Sequence, residues 1–147
     1  MLDFHNLNIL ADYLDALPEG YKEFDMMFFG ITSSGLLLDR PHEMFLYAHC
    51  GTAACALGHG PAAGIFPKSE DDDWDVYSKS MFGLTQYSRT WEFCFGSDWE
   101  NDPKLAAARI RHLLNFGVPK GFVDGSRYIT SRWVPAPYIS NTRKEPT

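Results

Sequence analysis

His49-Cys50-Gly51-Thr52-Ala53-Ala54-Cys55-Ala56-Leu57-Gly58-His59-Gly60-Pro61 holds two of the chain's three cysteines, two of its five histidines and almost no side-chain bulk. Three readings compete for these letters: a catalytic thiol, a metal clip, and a segment packed tightly into a core. The third asks least of the rest of the chain. Thr52 is a residue type that caps helices, Ala53 to Leu57 would follow as a short helix, and Gly58 or Gly60 would end it in the left-handed conformation. Side chains this small let neighbouring elements approach the backbone closely. Enlarging one of them would cost ~1–3 kcal/mol through overpacking. We therefore expect this stretch to be the hub of the core.

The elements around that hub are read from periodicity and punctuation. Leu7, Leu10, Leu14 and Leu17 recur at helical steps, which predicts a helix over Asn6–Leu17, capped by Asp3 or Asn6 and ended by Pro18 and Gly20. Phe24–Phe29 is apolar and bounded by Gly30 and Thr32-Ser33-Ser34-Gly35, so a short strand or extended segment is expected. Trp74 to Phe82 reads as a helix with Asp72 or Asp73 as its cap and Gly83 as its stop. In Thr90–Trp99, Trp91, Phe93 and Phe95 alternate with Glu92, Cys94 and Gly96, a period of two that predicts a strand.

The strongest local signal belongs to Pro103–Phe116. Asp102 caps it, Pro103 takes the first position, and Gly117 and Pro119 stop it. Ala106, Ile110 and Leu113 make its apolar stripe, with Lys104, Arg109 and Arg111 expected to face outward. One further short strand is placed at Tyr128–Val134. The expected fold class is α+β and helix-dominated: three to four helices and two to three short strands around a central small-residue helix. Residues 1–139 form a single globular domain on this reading, and 140–147 a C-terminal tail.

Composition narrows the function classes. A chain of 147 residues with 45% hydrophobic and 15% aromatic content has enough material for one buried core. Its net charge of −6 argues against a general nucleic-acid binder, which needs a basic footprint against phosphate. Residues 1–75 carry thirteen acids and three bases, whereas the remainder carries six acids and ten bases. The favoured explanation is attraction between two halves of one domain. No apolar run approaches the ~18 residues of a membrane span. The N-terminus lacks the basic then apolar pattern of a secretory signal, and the odd cysteine count points to a reducing compartment, hence the cytoplasm.

Each specific chemistry brings its own residue requirements. Cys50 precedes an expected helix start, where backbone N–H groups favour a thiolate, and His59 is a candidate base for it. His5, His42 and His112 stand as other possible bases, since triad partners come from anywhere in space. The second cysteine, however, does not match the cysteine-peptidase spacing. Zinc held by Cys55 and His59 is disfavoured because no C-x2-C pair occurs and Gly58 disrupts the helix that would align them; no cofactor is expected. Asp71, Asp73 and Asp75 have the opening spacing of a calcium loop, but Val76 and Phe82 stand where glycine and glutamate are required. The glycines match no phosphate-binding pattern. Candidate binding residues are Asp71, Asp72 and Asp73 in the acidic loop, with Trp99 and Trp133 as exposed aromatic anchors.

Leu17-Pro18 with Phe24-Asp25-Met26, the Cys50-Gly51-Thr52-Ala53-Ala54-Cys55-Ala56-Leu57-Gly58-His59 core, Phe82-Gly83-Leu84 and Ala107-Ala108-Arg109-Ile110-Arg111 together resemble a family of small uncharacterised bacteriophage, prophage and bacterial proteins. The resemblance covers roughly Leu7 to Pro119. It implies no catalytic residue. It does imply an accessory role, in the host cytoplasm for a phage-encoded protein, exerted by binding or inhibiting a host protein or by sequestering a small ligand. The alternative is a hydrolase or transferase that uses Cys50 with a histidine base.

Overall fold

Three aspartates set the frame of the molecule, a computed structural model that describes residues 1–48 and 51–122. Asp3 accepts from the Asn6 N–H at 2.9 Å and opens α1, Phe4–Asp15. Asp73 accepts from the Val76 N–H at 2.9 Å; after the short α2, Glu43–Leu46, it opens α3, Trp74–Phe82, which Gly83 closes at φ +74°. Asp102 accepts from the Lys104 N–H at 2.9 Å ahead of Pro103. Each cap satisfies a donor that the helix cannot. The remaining elements are α4, Arg89–Phe95, and α5, Pro103–Phe116. Among the described residues no helix is long and apolar enough to cross a membrane.

α1 and α5 form the principal helix pair. The leucine face of α1 (Leu7, Leu10, Leu14, with Ala11) is fully buried, and so are Ala106, Ala107 and Ile110 on α5. The small side chains of Ala106 and Ala107 allow the two helices to approach closely. At the edge of this contact the charge asymmetry between the chain halves becomes concrete. Arg111 meets Asp12 at 2.7 Å and Asp15 at 3.1 Å, and Lys104 lies 3.6 Å from Asp15.

The small-residue helix at the centre is not formed. Ala53 and Ala54 are extended and pair with the chain before them. Ala53 exchanges both backbone hydrogen bonds with Ile31, at 2.8 and 2.9 Å, while Ala54 donates to the Glu23 carbonyl and accepts from the Asp25 N–H. A single 3₁₀ turn follows at Leu57–His59. The physical reason is length. The five residues before Gly58 are too few to offset helix nucleation, whereas residues 23–31 offer ready partners for the same N–H and C=O groups. Thr52 consequently caps nothing; its hydroxyl donates to the Tyr47 carbonyl at 2.8 Å. Smallness matters all the same. A Cβ on Gly58 would collide with the Phe29 carbonyl, and one on Gly60 with the Tyr77 hydroxyl.

Two further expectations are corrected. The strands are absent among the described residues, where only isolated bridges join Phe24 to Ala54 and Ile31 to Ala53 and Leu37. The Thr90–Trp99 segment is mostly the helix α4: Ser88 accepts from the Trp91 N–H and Gly96 ends it. Trp91, Phe93, Cys94 and Phe95 are all buried. Trp91 and Phe95 stack edge-on one turn apart while Phe93 points elsewhere, toward Trp99 and Phe122. Burial on several sides erased the helical period and left an alternation that mimics a strand. The predicted strand Tyr128–Val134 and the 139/140 boundary lie outside the described residues. What stands is a helix-dominated small domain.

Candidate functional site

The end of α1, the turn after it, and the 3₁₀ turn converge on His59. Tyr13 comes from α1. Beyond Pro18 the chain turns, with the Tyr21 N–H donating to the Pro18 carbonyl at 3.1 Å, and then runs extended so that Tyr21 and Glu23 share a face. His59 is 4% exposed and lies among the rings of Phe24 (5.4 Å), Tyr21 (5.7 Å) and Tyr13 (6.3 Å). Its Nδ1 is 2.8 Å from the Cys55 carbonyl oxygen and its Nε2 is 2.9 Å from the Tyr21 hydroxyl.

These contacts assign the protons. A carbonyl only accepts, so Nδ1 carries the hydrogen. Burial pushes the His59 pKa below its ordinary value, so the ring is neutral and Nε2 is a bare acceptor. Tyr21 must therefore donate to it. Burial, with Tyr13 and Glu23 close by, holds the Tyr21 hydroxyl up to about 12, so it keeps its proton. Beside this pair opens a cleft of about 250 Å³ lined by Tyr13, Tyr21, Glu23, Phe45, Thr52 and His59.

Of the sequence-predicted site residues, His59 is the one found here. Cys50 and Trp133 lie outside the described residues. Ala48 and Thr52, which flank His49-Cys50 in sequence, both line the cleft. Cys55 is buried, and desolvation pushes its thiol up to about 11; its sulfur accepts from the Gly58 N–H at 3.4 Å. Among the described residues no three or more histidine, cysteine or acidic side chains gather in a way that could hold a metal ion. The acidic loop serves local structure. Asp72 accepts from the Ser69 N–H, Asp73 caps α3, and the largely exposed Asp71 lies 3.6 Å from Arg40.

Trp99 is not an exposed anchor. It is 4% exposed, lies parallel to Phe122 with ring centroids 6.1 Å apart, and donates its indole N–H to the Glu92 carbonyl at 3.1 Å. Nor does Arg109 face outward. It is 1% exposed, with its guanidinium 4.3 Å from the Trp99 ring centre, so ring stacking replaces the ion pair that a buried arginine usually needs. Its Nε and Nη2 have no hydrogen-bond partner among the described residues, and desolvation lowers its pKa to about 9.

Tyr13, Tyr21, Glu23, Phe45 and Thr52 were missed as site residues because no motif links them. The usable signal was weak: a tyrosine beside the leucine stripe of α1, and a Tyr-x-Glu pair just after the Pro18–Gly20 breaker. Comparison with family models, with curated proteins and with solved structures finds no match to this chain.

Proposed function

We propose that the chain is a binding module and that its target is a small ligand held in the His59–Tyr21 cleft. One observation carries the reading: both nitrogens of the buried imidazole are engaged within the protein, so His59 is a fixed, neutral piece of wall. A general base needs a free lone pair within reach of the proton it removes. The concave, aromatic lining with a few convergent polar groups is what small-molecule sites use. The acidic loop, engaged in caps and turns, offers less to a protein partner. The resemblance to small bacteriophage and prophage proteins supports an accessory role in which such a ligand is sequestered.

The test is a ligand-observed NMR screen of small aromatic fragments on the full chain, repeated with Ala62→Trp. Ala62 lines the cleft and is exposed, so the indole fills the space without entering the core. Fragments should bind the wild type and lose binding in a variant of unchanged melting temperature. Binding that survives in Ala62→Trp, or no binding at all, overturns the reading.

A second reading has one observation in its favour, the position of Ala48 and Thr52 on the same cleft. A hydrolase or transferase using Cys50 would then draw on His59 after displacement of Tyr21. Rapid iodoacetamide alkylation of Cys50 near pH 7, abolished in His59→Gln, would support it; slow alkylation unchanged by that substitution counts against it.

A further inference from the structure

Two of the hydroxyl protons around the cleft are given to partners within the protein. Tyr21 gives its single hydroxyl proton to His59 at 2.9 Å. Thr52 gives its single hydroxyl proton to the Tyr47 carbonyl at 2.8 Å. Glu23, as a carboxylate, has none to give. Three side chains on the wall therefore present oxygen lone pairs and no hydrogen. The Tyr13 hydroxyl turns to serve either role. Glu23 lines the same cleft as Tyr13 and Tyr21, and its negative charge is felt at both tyrosines. Among the described residues no lysine, arginine or histidine forms an ion pair with Glu23.

We propose that the cleft takes a small protonated amine carried on an apolar body. The inference rests on the cleft being the binding site and names the class of ligand it would hold. An anionic ligand would set lone pair against lone pair and charge against Glu23. An amine brings N–H donors to Tyr21, Thr52 and Glu23, and its positive charge is attracted to the π faces of Tyr13, Tyr21 and Phe45. The remaining wall, Ala54, Pro61 and Ala62, fits an apolar body. A cleft of about 250 Å³ lies just below the usual range for small-molecule pockets, so a single-ring amine is the size to try.

Benzylamine, benzyl alcohol and benzoate have nearly this size and differ in what they donate. Their dissociation constants would be measured by NMR titration at pH 7 on the full wild-type chain, Glu23→Gln and Ala62→Trp. Benzylamine should bind about tenfold more tightly than benzyl alcohol, with benzoate weakest. Glu23→Gln should shrink that preference to about threefold, a modest change because Glu23 is exposed. If all three bind equally and all are lost in Ala62→Trp, the cleft remains the binding site and the amine inference is overturned. The amine inference also falls if benzoate binds best or if Glu23→Gln leaves the preference intact. If none of the three binds, or Ala62→Trp binds them as the wild type does, both readings fall.

Discussion

His59 and Arg109 are both basic side chains buried to within a few per cent, and the protein accommodates them in opposite ways. His59 is discharged: its neutral ring has one nitrogen against a carbonyl and the other against a hydroxyl. Arg109 lies over Trp99, and two of its nitrogens have no hydrogen-bond partner among the described residues. The first solution uses directed hydrogen bonds, and the second uses the face of a ring. A hydrogen-bonded neutral base leaves polar groups ready for a ligand on the other side of Tyr21. The stacked cation is shut in at 1% exposure, so its N–H groups without a partner among the described residues lie out of reach of a ligand. That difference is why the cleft, and not the Trp99 cluster, is the candidate site.

The comparison breaks most sharply at Trp99. Trp99→Ala removes both the packing and the ring over the guanidinium, and should cost about 4 kcal/mol in urea unfolding. Arg109→Met keeps much of the volume and drops the charge; it should be neutral or stabilising by about 1–3 kcal/mol. A loss of more than about 2 kcal/mol in Arg109→Met would mean that the charge itself has a partner the stacking account omits.

A smaller effect is expected on the histidine side. Tyr21→Phe leaves the Nε2 of His59 without its donor and should cost about 1–2 kcal/mol. The same variant should weaken benzylamine binding, since an acceptor is lost from the wall.

The smallest effect is a slope with pH. A folded His59 pKa below the unfolded value means that the unfolded chain binds more protons in the window between them. Stability from this group is therefore intact above about pH 6.5 and declines as pH falls toward the folded value, by at most about 1.4 kcal/mol per pH unit. His112, shifted the same way by burial, adds to it. Chemical unfolding at pH 7.5, 6.5 and 5.5 should show the decline, and His59→Gln should flatten it, leaving the part due to His112. An unchanged slope in that variant would remove His59 as its source.

How much could be read from the sequence follows the same division between local and distant causes. α1, α3 and α5 were legible because Asp3, Asp73 and Asp102, with Gly83 and Gly117, act within four residues of where they stand. α4 was not, because its burial on several faces erased the period that betrays a helix. Ala53 and Ala54 took an extended form because their partners are residues 23–31, which no window around Cys55 contains. Arg109 was misplaced because its cover, Trp99, sits ten residues earlier in the chain, in a segment read as strand. Of the candidate site only His59 was visible in advance. The rest comes from four separate segments, each ordinary until the chain is closed.

The pairing of α1 with α5 has a consequence for how the molecule is made. Its Arg111 ion pairs join residues 96 and 99 positions apart, so α1 is completed by a helix made much later. At roughly 5–20 residues per second, the leucine face of α1 waits on the order of 5–20 s after leaving the ribosome before α5 can cover it. During that interval Leu7, Leu10 and Leu14 form an unshielded apolar stripe on a nascent chain. Yield in the cell should therefore respond to translation speed and to chaperone supply more than the stability of the finished domain would suggest.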